Sequence, residues 1–257
     1  ANIEETVAAG SREVVITGVN LSRYSDGTTG FSSLLERILE LPGDFRLRIS
    51  SMEPDSLDDR FLDILSHPKM CPHLHLCLQS GSERILLQMR RQYSYLGYRK
   101  IVDAIRTRLP DFNLTTDVIV GFPGETEADF ADTENACREI GFSHVHTFPY
   151  SRRSGTRADR MDGQISEDAK KERSARIRRI SDENKRNYRL RFVGREQRVL
   201  VERKGARKAT GSGYGEHYVP VEFHLPEVRY NEFYRVRLTA LGEGDDPALV
   251  GSPIPVR

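Results

Sequence analysis

Over its first 150 residues the chain alternates between short β-type runs and helical patterns, and that order leaves few folds open. The patterning predicts strands near 13–20, 45–52, 73–79, 113–121 and 143–150, and helices near 31–41, 57–66, 82–108 and 127–140. A strand that reaches its neighbour through a helix builds a parallel sheet. Ser56 is the expected cap of the helix LDDRFLDIL, and Pro42-Gly43 stops the helix before it. Polar residues gather at the strand C-terminal ends, which suits an α/β partial barrel with its site at that face. A doubly wound open sheet is the alternative.

The run Asp117 to Thr126, DVIVGFPGET, is a buried strand that breaks into a turn carrying a carboxylate. Gly121, Pro123 and Gly124 would let backbone approach a ligand, and Glu125 opens a helix. Three other strand ends join it: Thr17-Gly18-Val19-Asn20, Gln79-Ser80-Gly81-Ser82 and Phe148-Pro149-Tyr150-Ser151.

A strand's period of two sorts the faces. In HLHLCLQS, Leu74, Leu76 and Leu78 share one side, suited to packing under helices, while His75, Cys77 and Gln79 share the other. The same count groups Thr115, Asp117 and Ile119, and groups His144, His146, Phe148 and Tyr150. A lumen lined in this way either contacts a ligand or satisfies its polar groups internally. Two histidines one residue apart can ligate a metal, but His73/His75 and His144/His146 lack a familiar completing set, Asp117 and Glu53 being the only strand-end acids. No metal site is therefore expected.

Length permits one substantial core and a smaller module: 257 residues, 37% hydrophobic. No apolar run has membrane-spanning length and no leader pattern is present, so cytoplasmic residence is expected. The three cysteines, Cys71, Cys77 and Cys137, are too scattered for a disulfide framework or a CxxC-type ligand set. Net charge is +1, but residues 151–210 hold 20 Lys+Arg against 9 Asp+Glu, a net +11 that leaves −10 elsewhere. A basic segment beside an acidic body suits a polyanion, RNA or DNA before lipid, or else a solvated helical surface.

After residue 150 the pattern changes. SRRSGTRADRMDGQ has loop composition, Ser166 caps a long basic helix, and short alternating strands follow in QRVLVERK, YVPVEF and EFYRVRLTAL. Turns are expected at Gly211-Ser212-Gly213 and Gly242-Glu243-Gly244. The organisation read from this is a partial barrel over 1–152, a connector loop and helix over 153–194, and a small all-β barrel over 195–257. Arg203, Lys204, Arg207, Lys208, Tyr214 and Tyr218 mix cations with aromatics as single-stranded RNA favours. The alternative is a plain β-core under solvated cations.

In order and spacing, ITGVN, LRISSMEP, HLHLCLQSGS, MRRQY, TTDVIVGFPGET and FPYSRRSGTRA resemble the radical S-adenosylmethionine methylthiotransferases over essentially the whole chain. Met89 to Tyr93 and the FPYS…GT run resemble the branch that modifies threonylcarbamoyladenosine in tRNA; the alternatives are the isopentenyladenosine branch, which more usually reads FQYS, and the branch that acts on a ribosomal protein, which has a different strand-four sequence. The all-β segment resembles the RNA-binding TRAM domain. The resemblance implies a radical-type barrel, S-adenosylmethionine and 4Fe-4S clusters as cofactors, tRNA as substrate, an electron-donating reductant, and methylthio transfer to adenine C2. It also implies a CxxxCxxC cluster loop before the first strand and an amino-terminal domain with three more cysteines. Neither is in these residues, so the expectation is a fragment that begins after the first barrel strand and is inactive alone. If the chain instead keeps the barrel only as scaffold, it is a non-catalytic RNA-binding protein; a metal-dependent hydrolase is a third class.

Carried over by resemblance, Gly18 and Asn20 face the methionine amino group, Gln79 and Ser80 contact ribose or carboxylate, and Ser51 and Glu53 border the same rim. Asp117, Ile119 and Gly121 belong to the adenine-binding element, whose turn Glu125 orders, or Glu125 is simply a helix N-terminal carboxylate. Arg90 or Arg91 would hold a carboxylate or an RNA phosphate.

Overall fold

The computed structural model describes residues 2–18, 21–54, 57–204 and 210–255, except the side chains of Ser22, Arg203 and Lys204. The first part runs α1 (Asn2–Ala8), β1 (Glu13–Ile16), a hairpin of β2 (Ser25–Asp26) and β3 (Thr29–Gly30), α2 (Phe31–Leu39), β4 (Arg46–Ile49), β5 (Ser51–Met52), α3 (Asp59–Leu65), β6 (His73–Leu76), α4 (Glu83–Gln88), α5 (Tyr95–Arg108), β7 (Asn113–Val120), α6 (Glu127–Ile140) and β8 (His144–Pro149). Strands β5, β6, β7 and β8 pair in parallel in that order, and β1 pairs in parallel with β4. Because β4 and β5 join at Ser50, whose N–H donates to the Ile16 carbonyl (2.9 Å), the pairing runs β1, β4/β5, β6, β7, β8.

The period of two holds within β6. Leu74, Leu76 and Leu78 are fully buried in the helix-covered core with Tyr98, Ile105 and Phe130, while His75 and Cys77 on the other face are half-buried. Several boundaries differ from expectation. The first strand stops at Ile16, and Val19 and Asn20 lie outside the described residues. The helical pattern over 82–108 is two helices, because Arg90 takes a left-handed φ of 59° and interrupts the repeat. Asp58 caps α3, accepting from Phe61 N–H at 2.8 Å; Ser56 lies outside the described residues.

The second part holds α7 (Glu167–Leu190), β9 (Glu196–Lys204), β10 (Thr210–Tyr214), β11 (Pro220–His224), β12 (Phe233–Leu241) and β13 (Leu249–Pro253). These five strands close a barrel in the order β10, β11, β13, β12, β9 around Val199, Val201, Val221, Phe223, Val236, Leu238 and Leu249. Gly211-Ser212-Gly213, expected as a turn, lies within β10. A Cβ on Gly213 would sit 1.8 Å from the Leu200 carbonyl oxygen, so glycine here permits close strand approach at a bulge.

Helix α7 does more than connect. Ile177 and Ile180 enter the first core, and the Ser181 hydroxyl accepts from Val145 N–H (2.9 Å). Its far end, through Tyr188, joins the barrel core with Phe192. Much of its charge pairs internally: Arg173 with Glu125, Arg176 with Glu127 and Glu134, and Lys185 and Arg189 with Asp246. The basic excess is thus partly spent on the fold, and Lys171, Arg179 and Arg186 are among the cations left exposed on it. No helix among the described residues is long and apolar enough to cross a membrane.

Candidate functional site on the inner face of the sheet

Strand alternation and parallel register bring the polar residues of β5 to β8 to one face. His75 lies opposite Thr115, and Asp117 lies opposite His146. The His75 ring is gripped at both nitrogens: Nδ1 is 3.0 Å from Thr115 Oγ1 and Nε2 is 3.2 Å from Asp117 Oδ1. His73 Nε2 reaches the same Thr115 hydroxyl at 3.4 Å. The His146 ring lies 5.6 Å from that of His75 and 4.3 Å from that of His144, the latter pair edge to face.

Burial keeps the imidazoles of His73, His144 and His146 neutral. It pulls His73 down to about 3, helped by Arg48 and His75, and pulls His144 down to about 4, helped by His146 and Lys185. His146 shifts in the same direction, again chiefly by burial. Cys77 is pushed up to about 12 by burial and by the nearby Glu53 and Asp117 carboxylates, so it stands as a thiol. The rings of His73, His144 and His146 therefore offer neutral hydrogen-bonding edges on this face.

At the strand C-terminal ends, Glu53 and Arg91 form an ion pair of 2.9 Å, each side chain somewhat over a quarter exposed. Arg91 follows left-handed Arg90 in the break between α4 and α5, and Tyr93 Oη donates to the Leu78 carbonyl (3.1 Å), which folds this segment over the end of β6. Ser51 is half-buried and lines the same inner face, while Gly18 is exposed at the end of β1.

Other expected contacts are used internally. Gly121, at φ 72°, donates its N–H to Glu125 Oε1 (2.9 Å), and Arg173 Nη1 donates to the same oxygen (2.5 Å). Burial raises the pKa of Glu125, opposed by those two donors. A Cβ on Gly121 would lie 2.4 Å from Lys170 Cγ, so glycine here lets α7 pack closely on the turn. Ser80 is buried against the Thr133 hydroxyl (3.2 Å), and Gly81 is glycine because a Cβ would strike the Asp132 carbonyl at 2.5 Å. Gln79, at φ 65°, donates its N–H to the Asp117 carbonyl and accepts from Ile119 N–H. Tyr150 leaves the inner face, its ring packing on Phe122 at 5.3 Å.

The closed barrel faces the inner side of the sheet across a cavity of about 1300 Å³. Tyr218 stacks on Tyr214 (4.6 Å), lies under the Arg48 guanidinium (4.1 Å) and meets the His73 ring (4.8 Å). These two tyrosines, read as RNA contacts, thus stand at the junction of barrel and sheet. The side chains of Arg203 and Lys204, and all of Arg207 and Lys208, lie outside the described residues. Neither the cross-strand set His75, Cys77 and Asp117 nor the junction of Arg48 with Tyr218 was legible as a site from single-strand patterns.

Comparison with known proteins agrees with this architecture. The chain is 42% identical over 241 residues to the threonylcarbamoyladenosine tRNA methylthiotransferase MtaB of Thermotoga maritima, covering 93% of this chain and 55% of that protein. It is 42% identical over 212 residues to the tRNA-2-methylthio-N(6)-dimethylallyladenosine synthase of Thermobifida fusca, covering 81% of this chain and 43% of that protein. The chain thus spans about half the length of the curated relatives it matches. Among solved structures, coproporphyrinogen III oxidase of Escherichia coli, described as a radical SAM enzyme, shares the fold with a TM-score of 0.52 at 15% identity, covering 73% of this chain and 44% of that one. Residues 1–137, just over half the chain, match the Radical SAM superfamily. With parallel strands joined through helices and a polar inner face, the chain belongs to the radical SAM superfamily.

Proposed function

We propose that these residues are part of a tRNA methylthiotransferase that adds a methylthio group to C2 of N6-threonylcarbamoyladenosine and works in the cytoplasm. The observation that carries the reading is the 42% identity over 241 residues to a protein of that name. The dimethylallyladenosine reading is second, supported by equal identity over a shorter span of 212 residues.

The donor set at the strand ends fits the amino-acid end of S-adenosylmethionine. Glu53 and Arg91, paired at 2.9 Å and partly exposed, offer a carboxylate for an ammonium and a guanidinium for a carboxylate. Together with a reduced iron–sulfur cluster, that cofactor supplies the one-electron chemistry that removes a hydrogen atom from carbon. Ser51 adds a hydroxyl on the same side. On the inner face, the neutral edge of His146 is placed to hydrogen-bond a purine.

The cysteines do not fit a cluster. Such a group needs converging thiolates, and Cys71 and Cys137 are buried while Cys77 points to the inner face. In the proposed protein the cluster is held from outside these residues, its electrons come from a separate reductant, and this chain alone does not turn over.

The test is mass spectrometry of nucleosides from bulk tRNA of the source organism with and without this gene. Selective loss of methylthio-threonylcarbamoyladenosine is the expected result. Loss of the dimethylallyl counterpart moves the assignment to the second reading, and no change in either sinks both.

A further inference from the structure

We propose that His75, Cys77 and Asp117 form a binding site for a tetrahedral divalent cation of the zinc class, distinct from any iron–sulfur cluster. The three come from adjacent parallel strands or their ends, and their ligand atoms all lie within 4.8 Å of one another. His75 Nε2 and Asp117 Oδ1 are already 3.2 Å apart. Two ligands each about 2.0–2.2 Å from a tetrahedral ion stand roughly 3.3–3.5 Å apart, so this edge has coordination length without rearrangement. Cys77 Sγ needs a movement on the order of 1 Å to complete a Zn–S bond of about 2.3 Å.

The hydrogen bond behind the imidazole supports the same assignment. Thr115 Oγ1 sits 3.0 Å from Nδ1. Without an ion, Nε2–H can donate to Asp117 while the Thr115 hydroxyl donates to Nδ1; with an ion, the same hydroxyl accepts from Nδ1–H and frees the Nε2 lone pair to ligate, so Thr115 serves both states. Outer partners of this kind orient the ligating histidine in metal sites. Imidazole, thiolate and carboxylate together suit zinc better than magnesium or calcium, which take oxygen ligands. Three protein ligands leave one position open, and the His75 and His146 side chains line the cavity from which an ion can enter. Binding releases the thiol proton of Cys77 and forms one metal–sulfur, one metal–nitrogen and one metal–oxygen bond. All three groups are half-buried, whereas Cys71 and Cys137 are enclosed.

The test uses the 257-residue chain, freed of metal by chelation and titrated with cobalt(II). The expected result is one cobalt per chain, with a thiolate-to-cobalt charge-transfer band that zinc displaces. Cys77→Ser abolishes the band, and His75→Gln and Asp117→Asn each weaken binding at least tenfold, while Cys71→Ser leaves the band intact. Should Cys77→Ser fail to fold, alkylation of the unmodified chain decides: zinc is expected to protect Cys77 from iodoacetamide. A missing band, a band that survives in a folded Cys77→Ser protein, or unprotected Cys77 at saturating zinc overturns the proposal. None of these readouts depends on tRNA modification, so this site and the proposed activity fail separately.

Discussion

Arg46 donates from Nε to Glu13 Oε2 across 2.6 Å, with the two side chains only 5% and 10% exposed. The remaining Arg46 donors reach the Tyr214 carbonyl (3.2 Å) and the Arg198 carbonyl (3.4 Å), so one guanidinium ties β1 and β4 to the closed barrel. Removing one partner of a buried pair costs about 3–5 kcal/mol. Arg46→Ala is expected at the lower end, because Arg48 still pairs with Glu13 at 3.1 Å. Urea titration should show the loss as a lower midpoint. An unchanged midpoint would mean that apolar packing alone holds the two parts together.

The turn after β7 gives an ordered pair of outcomes. Glu125→Ala leaves the Gly121 N–H without its acceptor and takes from the buried Arg173 its nearest carboxylate, leaving it Glu127 at 3.5 Å, and should cost about 3 kcal/mol, the lower end for a broken buried pair. Glu125→Gln keeps an acceptor for Gly121 and should cost less. Thermal melts of the two variants check the order.

Gly213→Ala places a methyl group 1.8 Å from the Leu200 carbonyl oxygen, a backbone atom held in the β9 ladder. Overpacking typically costs about 1–3 kcal/mol and more where backbone must move, so a loss of about 3 kcal/mol is expected. Gly244→Ala is a fair contrast: no atom lies within 4 Å of its Cβ, and its cost comes only from the positive φ.

His217 links pH to stability. Burial pulls it down to about 4, and it packs on Phe192 and bonds to Gln197. The unfolded chain takes up this proton near pH 6.5, the folded chain only near 4, so unfolded molecules hold more protons between those values. Stability is therefore full above pH 6.5 and falls on acidification toward pH 4, by up to about 1.4 kcal/mol per pH unit for this group. His73 and His144, also depressed, add slopes of the same sign. Denaturant midpoints at pH 7, 6 and 5 should fall in turn, and His217→Asn should flatten the trend by one proton's worth.

The alternation of β-type and helical runs by itself determined the parallel sheet, and the period of two determined which residues of β6, β7 and β8 face inward. Both are local properties, set over two to four residues by backbone geometry. They placed His75, Cys77, Thr115, Asp117, His144 and His146 on one face, and the structure keeps them there. What those residues touch depended on register between strands about 40 positions apart, which alone puts His75 against both Thr115 and Asp117. Long-range packing also redirected the turn at Gly121 and Glu125. Nothing local announces that Lys170 and Arg173, more than 40 residues on, fill the space beside that turn. Tyr214 and Tyr218 have the composition of an RNA surface, yet docking of the barrel turns Tyr218 toward Arg48 and His73, because the buried Arg46 network draws the two parts together there.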